Sequence, residues 1–184
     1  MTKTETSKEP DHEVVIVGLG PTGATLANIL GGYGIDVLVL EREEAVYPLP
    51  RAVHFDDEAM RVFQSIGLSE GIGRDARVNV GTKFVDRDQN LLLDWPRPQE
   101  IGPLGWYPSY RFHQPDLEAE LNRGIGDCKM VTLRRSAHVT AVHDTGRLVE
   151  ISYLHGGSEQ SVTARYAIGT DGAKSVVRAA MDSD

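Results

Sequence analysis

The stretch HEVVIVGLGPTGATLANILGGYGIDVLVLERE, residues 12–43, decides the fold. Its first segment, HEVVIVGLG, carries a continuous apolar run, Val14 to Val17, that ends in glycine, the pattern of a strand buried on both faces. Pro21 suits the first turn of a helix, Leu26, Ile29 and Leu30 form an apolar stripe along it, and Gly31, Gly32 and Gly34 end it. Residues 35–43 make a second apolar strand. Two strands joined through one helix form a βαβ unit, which should be right-handed.

Gly18-Leu19-Gly20-Pro21-Thr22-Gly23 fits G-x-G-x-x-G at the strand-to-helix junction. In that context the first glycine permits the tight turn and the second lets a diphosphate approach the backbone. The third lets helix and strand pack closely. The helix start then offers free N–H groups and a positive dipole end to an anion. Glu41 follows at the end of the second strand, where a carboxylate accepts hydrogen bonds from an adenosine ribose hydroxyl and repels a 2′-phosphate. Together these predict a site for an ADP-containing cofactor. NAD and FAD both carry ADP, so the fingerprint does not separate them.

Outward from this unit, residues 41–55 read as a loop in which Pro48 and Pro50 bar regular structure, and Arg51 follows them. Residues 56–68 read as an amphipathic helix with Asp56, Asp57 and Glu58 at its N-terminus, where the helix dipole favours them. Residues 77–95 alternate weakly and suggest two strands, while residues 95–115 read as an irregular Pro, Gly and aromatic-rich excursion. A short helix begins at Pro115 and Asp116, and three strand-like runs follow over residues 129–135, 137–154 and 160–170. The middle run turns at Asp144-Thr145-Gly146. Near the end, Asp171 closes a strand, Gly172 permits a turn and a helix starts at Ala173. The fold class is therefore α/β: a Rossmann-like βαβ unit with a parallel sheet, plus an antiparallel β meander as an inserted or appended layer.

The totals narrow the function. At 184 residues the chain suits one domain, with residues 1–11 as a disordered lead and 12–184 as the cofactor-binding domain. A net charge of −8 argues against nucleic acid or anionic membrane as the main partner. The first ten residues hold no apolar core of a leader or a membrane span, so a cytoplasmic location is expected. Cys128 is the only cysteine, which excludes an internal disulfide framework and a cysteine-built zinc site. His138 and His143, five apart on one strand, should face opposite sides and make no metal pair. Ser109 and Ser175 show no histidine–carboxylate arrangement for nucleophilic work. Trp106, Tyr107 and Tyr110 leave two readings open, a loop-packing cluster and a wall facing an aromatic substrate. His54 and His113 read as loop residues, and no catalytic residue is assigned.

Taken in order, the 18–23 fingerprint, Glu41-Arg42, Pro50-Arg51-Ala52, the helix of residues 56–68, Gln114-Pro115 and Asp171-Gly172 resemble one family. It is that of the FAD-dependent aromatic hydroxylases, single-component flavoprotein monooxygenases of the p-hydroxybenzoate hydroxylase type. Within it, residues 47–68 are most similar to the branch acting on 3-(3-hydroxyphenyl)propionate. The resemblance implies that Gly18, Gly20, Pro21, Thr22 and Gly23 line the FAD diphosphate, that Glu41 binds the adenosine ribose and that Arg42 lies by the adenine. It implies that Arg51 reaches the diphosphate side of the flavin, Gln114 the ribityl region and the backbone near Val139 the adenine. Asp171-Gly172, with Ser175 and Arg178, resembles a second fingerprint serving FAD and the nicotinamide cofactor. The implied reaction takes electrons from NADH or NADPH and inserts one atom of O2 into a phenolic substrate.

A further family motif, Gly-Asp-Ala-Ala/Gly-His, has no match in this chain. The resemblance is thus to the N-terminal part of such an enzyme, and this chain alone is expected to give little or no turnover. A missing C-terminal segment, or self-association in its place, is the implied partner. Two other readings stay open: a non-catalytic module that holds ADP or FAD, and a small NAD-dependent reductase. The meander, the Asp-Gly motif and the lack of a Tyr-x-x-x-Lys pair weigh against the reductase.

Overall fold

The structure, a computed structural model, describes residues 9–49 and 51–181. In chain order the elements are β1 (His12–Val17), α1 (Pro21–Gly32), β2 (Val37–Leu40), β3 (His54–Asp56), α2 (Asp57–Ser65), α3 (Ser69–Asp75), β4 (Arg77–Val78) and β5 (Gly81–Val85). They continue with β6 (Leu91–Pro96), β7 (Ser109–Arg111), α4 (Gln114–Asp127), β8 (Val131–Arg134), β9 (His138–Asp144), β10 (Val149–His155), β11 (Ser158–Gly169) and α5 (Val176–Ala180). The chain divides into two compact units, residues 1–45 with 125–184, and residues 46–124.

The first unit is built on a six-stranded sheet in the order β8-β2-β1-β11-β10-β9. Strands β1, β2, β8 and β11 pair in parallel, and β9 to β11 pair antiparallel. The α/β class with a parallel sheet and an antiparallel meander is what the sequence predicts. The meander is not a separate layer, however. β11 is twelve residues long, pairing with β10 along its first half and with β1 along its second. One long strand thereby carries the meander into the parallel sheet. The run at residues 129–135 yields β8, which extends the parallel part beside β2.

Because β1 and β2 lie in the interior of the sheet, all four residues of β2 and the last four of β1 are buried, as their unbroken apolar runs require. Alternate residues serve opposite faces. Val15, Val17, Leu38 and Leu40 join Val139, Ile151, Tyr153, Val162 and Val177 in one core cluster. The other face meets α1, and here the predicted apolar stripe is corrected. Leu26, Ile29 and Leu30 are only half-buried, while the buried face is Gly23, Ala24, Ala27, Asn28 and Gly31. The helix lies too close to the sheet for large side chains: a Cβ on Gly31 would stand 2.6 Å from Cys128 Sγ and from Val131 Cγ2.

Two further expectations change in this unit. His138 pairs with Leu154 and His143 with Glu150, residues four apart on β10, so both histidines share one face of the sheet. The cause is a register shift between Ser152 and Tyr153, a bulge that inserts one residue into β9 and breaks the alternation. Among the described residues no group of three His, Cys, Asp or Glu side chains is placed to hold a metal ion. Helix α5 begins at Val176 rather than Ala173, because residues 173 and 174 form a turn and Ser175 caps the helix, its side chain accepting from the Arg178 N–H. Of the predicted disordered lead, residues 1–8 lie outside the described residues. Asp11 Oδ2 accepts from both the N–H and the hydroxyl of Thr163 at 2.8 Å.

The second unit contains the predicted helix α2, capped by Asp56, whose carboxylate accepts from the Ala59 N–H at 2.9 Å. It also contains elements the sequence reading lacks. β3 and β7 arise in stretches read as loop and form a three-stranded sheet with β4, and α3 follows α2 directly. Phe55 of β3 stacks on Tyr110 of β7 at 5.3 Å between ring centroids and meets Phe63 of α2 edge-on at 5.5 Å. Tyr110 is buried, and that burial is the largest cause holding its phenol above the ordinary value. It therefore belongs to a packing cluster. The two strands expected over residues 77–95 occur as the hairpin β5–β6, with the two-residue β4 before it.

Candidate functional site

In the first unit, β1, β2, β8 and β11 run parallel, so the segments that follow them leave from one end of the sheet. β1 has β2 on one side and β11 on the other, which makes the turn after β1 a topological switch point, the place where open α/β sheets bind ligands. That turn is the glycine fingerprint.

Gly18 has φ +97°, and a Cβ there would lie 2.6 Å from the Thr170 carbonyl oxygen, so only glycine suits the position. A Cβ on Gly23 would lie 2.2 Å from the Gly18 carbonyl oxygen and 2.6 Å from Thr170 Oγ1. At Gly20 the same construction meets nothing within 4 Å, leaving open space beside the backbone. Helix α1 starts there with Gly20 as its cap, Pro21 in its first turn and no side chain bonded to its end. The N–H groups of Thr22 and Gly23 have no partner one turn earlier in the helix, and Pro21 has no N–H at all. The start of α1 thus presents backbone donors and a positive dipole end to an anion.

Glu41 closes this turn from the side. Its Oε2 accepts from the Leu19 N–H at 2.6 Å and its Oε1 from the Glu43 N–H at 2.8 Å. Each carboxylate oxygen can accept a second bond, so capacity remains for a ligand hydroxyl. Arg42 is exposed and pairs with Glu43 at 3.0 Å. Val139 is buried in β9 opposite Tyr153.

Thr170, which the sequence reading passes over, joins the two fingerprints. Its hydroxyl lies 3.0 Å from the Val17 carbonyl and 2.8 Å from the Gly18 carbonyl, and its N–H donates to Val17 at 2.8 Å. The available signal was its place between the β11 strand pattern and Asp171-Gly172. Asp171 Oδ2 accepts from the Val176 N–H at 2.7 Å, tying the turn to α5. Asp171 Oδ1 is buried and has no hydrogen-bond partner among the described residues. A buried acceptor left unpaired costs about 1–3 kcal/mol. Gly172 has φ +81°, which makes the turn. Arg178 is exposed and donates to the Ala173 carbonyl.

In the second unit, Arg51 and Gln114 come together although 63 residues separate them. Gln114 Oε1 accepts from the backbone N–H groups of Arg51 and Ala52, both at 2.8 Å. The Arg51 guanidinium lies over the Tyr47 ring at 5.3 Å, and Pro50 of the same motif lies outside the described residues. Trp106 Nε1 donates to Gln64 Oε1 at 3.0 Å, and His113 lies 3.0 Å from Asp116.

The groups of the first unit suit a diphosphate and a ribose: backbone N–H donors at the start of α1 and the acceptor carboxylate of Glu41. Comparison with known proteins agrees. Residues 11–184 match the family described as FAD binding domain. The chain is 38% identical over 175 residues to a 3-(3-hydroxy-phenyl)propionate/3-hydroxycinnamic acid hydroxylase of Mycolicibacterium gilvum (strain PYR-GCK), covering 95% of this chain and 30% of that protein. It is 41% identical over 171 residues to a "Probable NADH-specific resorcinol 4-hydroxylase" of Rhodococcus jostii (strain RHA1), covering 90% and 32%. The solved p-nitrophenol 4-monooxygenase PnpA of Pseudomonas putida DLL-E4 shares the fold with a TM-score of 0.86 at 24% identity, over 95% of this chain and 44% of that one. The chain thus spans about 30% of the length of the curated relatives it matches. Among the described residues no helix is long and apolar enough to cross a membrane.

Proposed function

The chain belongs to the FAD binding domain family, and on that footing we propose that it serves as the FAD-holding part of a flavoprotein monooxygenase that hydroxylates a phenolic ring with NADH or NADPH and O2. The observation that carries this reading is that proteins named as hydroxylases of one-ring phenols align with nearly the whole chain. Bound FAD supplies the hydride-accepting and oxygen-activating chemistry, and the protein contributes position and electrostatics. Gly18, Gly20, Pro21, Thr22 and Gly23 hold the diphosphate, with the Thr22 and Gly23 N–H groups as donors. Glu41 accepts from the adenosine ribose while keeping the Leu19 backbone in place. Arg42 and the backbone near Val139 attend the adenine, and Asp171-Gly172 serves as the second fingerprint for FAD. Arg51 and Gln114 keep the cofactor roles that the resemblance implies.

The test is the visible absorption spectrum of the purified chain after incubation with FAD and desalting. A retained flavin band is expected. NADH and NADPH oxidation is then followed with hydroxyphenylpropionates and with resorcinol. A protein that stays colourless yet binds NAD would replace this reading with the reductase.

We infer in addition that the chain self-associates through β5–β6. This two-stranded sheet has no further strand on either edge among the described residues. It exposes Phe84, Leu91, Leu92, Leu93 and Trp95, with Leu92 at 67% and Trp95 at 49%. Phe84 pairs with Leu93, so these two share one face. Unpaired edges with apolar faces are association surfaces. Sedimentation of the chain is expected to depend on concentration, and Phe84→Lys with Leu93→Lys should give a monomer. A wild-type chain already monomeric at high concentration would sink this inference.

A further inference from the structure

Glu118 is a buried acidic residue with no role in the site as described so far. It sits one turn after Gln114 on α4, and both side chains are 4% exposed. Gln114 Nε2 donates to Glu118 Oε1 at 2.6 Å, while Gln114 Oε1 accepts from the Arg51 and Ala52 N–H groups at 2.8 Å. The orientation of the amide follows from this set of partners. Turned over, its NH2 would confront two backbone donors and its oxygen would confront a carboxyl oxygen. The Glu118 oxygen therefore holds the amide with its acceptor toward residues 51 and 52. Among the described residues the chain between β2 and β3 carries no helix or strand, so this side chain substitutes for a regular element where the Arg51 side chain leaves the backbone.

We propose that Glu118 is a positioning residue: acting through Gln114, it fixes the Arg51–Ala52 backbone and so raises the affinity for FAD. The second half of this statement rests on the function proposed above; the first half does not. A loop already held in place needs no ordering when the ligand arrives, which is how such a remote group reaches affinity.

The experiment is backbone amide hydrogen exchange at Arg51 and Ala52, read by NMR on the whole chain, beside FAD titration by fluorescence. Glu118→Ala and Gln114→Ala should each speed exchange at these two amides by about tenfold or more, with the amides of β1 and β2 unchanged. Glu118→Gln keeps an oxygen for the Gln114 donor and should stay within about threefold of the wild type. FAD affinity should fall about tenfold in the alanine variants and recover in Glu118→Gln. Unchanged exchange in Glu118→Ala would overturn the clamp, and so would exchange accelerated equally throughout the chain, which marks a general loss of stability. Faster exchange with unchanged FAD affinity would overturn the cofactor half alone. A wild-type chain that binds no FAD would remove the functional reading while leaving the exchange test intact.

Discussion

Gly23→Ala is expected to lower the stability of the chain by about 2 kcal/mol and to weaken FAD binding at least tenfold, although alanine is the better helix former. Two effects oppose each other. Replacing a glycine inside a helix gains about 1 kcal/mol from propensity. Against this, the new Cβ would stand 2.2 Å from the Gly18 carbonyl oxygen and 2.6 Å from Thr170 Oγ1. The first obstacle is backbone in a turn that Glu41 and Thr170 already hold, so it cannot swing aside as a side-chain tip would. Relief requires α1 to lift from β1, and that motion withdraws the N–H groups at its start from a diphosphate. Gly32→Ala is the control: it lies in the same helix with nothing within 4 Å of the added Cβ, and should gain a few tenths of a kcal/mol to about 1. Urea unfolding and FAD titration of both variants decide the matter. Adding Thr170→Ala to Gly23→Ala removes only the second obstacle and should not restore stability. Restoration would show that the carbonyl is no obstacle, and the role given to the third glycine would go with it.

The same residues explain how far the sequence could be read. β1, α1 and β2 declare themselves because each is specified locally: apolar runs fit only interior strands, and Pro21 with its glycines marks the helix start. What was hidden depends on partners distant along the chain. β3 and β7 are three residues each, and they exist because Phe55 pairs with Tyr110 across more than fifty residues of intervening sequence. No local periodicity records such a pairing. Helix α3, SEGIGRD, contains two glycines and has no side-chain cap, so packing rather than propensity makes it helical. The bulge in β9 shifts the register by one residue, and that alone moves His143 to the face of His138. In the site, the positions of Gly18, Gly23 and Glu41 were readable from spacing. The bonds from Leu19 to Glu41 and from residues 51 and 52 to Gln114 were not, since they tie backbone donors to side chains 22 to 63 positions away.

The Leu19–Glu41 bond gives the second large effect. Glu41→Ala should weaken FAD binding about thirtyfold or more, while Asp57→Ala should leave it within about twofold. Both are acidic residues near an element boundary, and their surroundings differ. Asp57 sits in the first turn of α2, where a negative charge contributes about 0.3–1 kcal/mol to the helix through its dipole. Removing it costs stability of that order and nothing in affinity. Glu41 accepts two backbone N–H groups, one of them inside the fingerprint turn. Bonds to a charged acceptor contribute about 1.5–3 kcal/mol, so the alanine variant loses the turn's anchor as well as the acceptor for the ribose. Glu41→Gln separates these roles. Its single oxygen cannot serve both the Leu19 and Glu43 N–H groups in the observed arrangement, yet it still offers one acceptor, so its affinity should fall between wild type and alanine. Fluorescence titration with FAD, beside urea unfolding of each variant, reads affinity and stability independently. Equal affinity losses in Glu41→Ala and Asp57→Ala would mean that the carboxylate after β2 does not meet the cofactor. A Glu41→Gln variant as weak as the alanine would place the whole effect in the charge and none in the acceptor geometry.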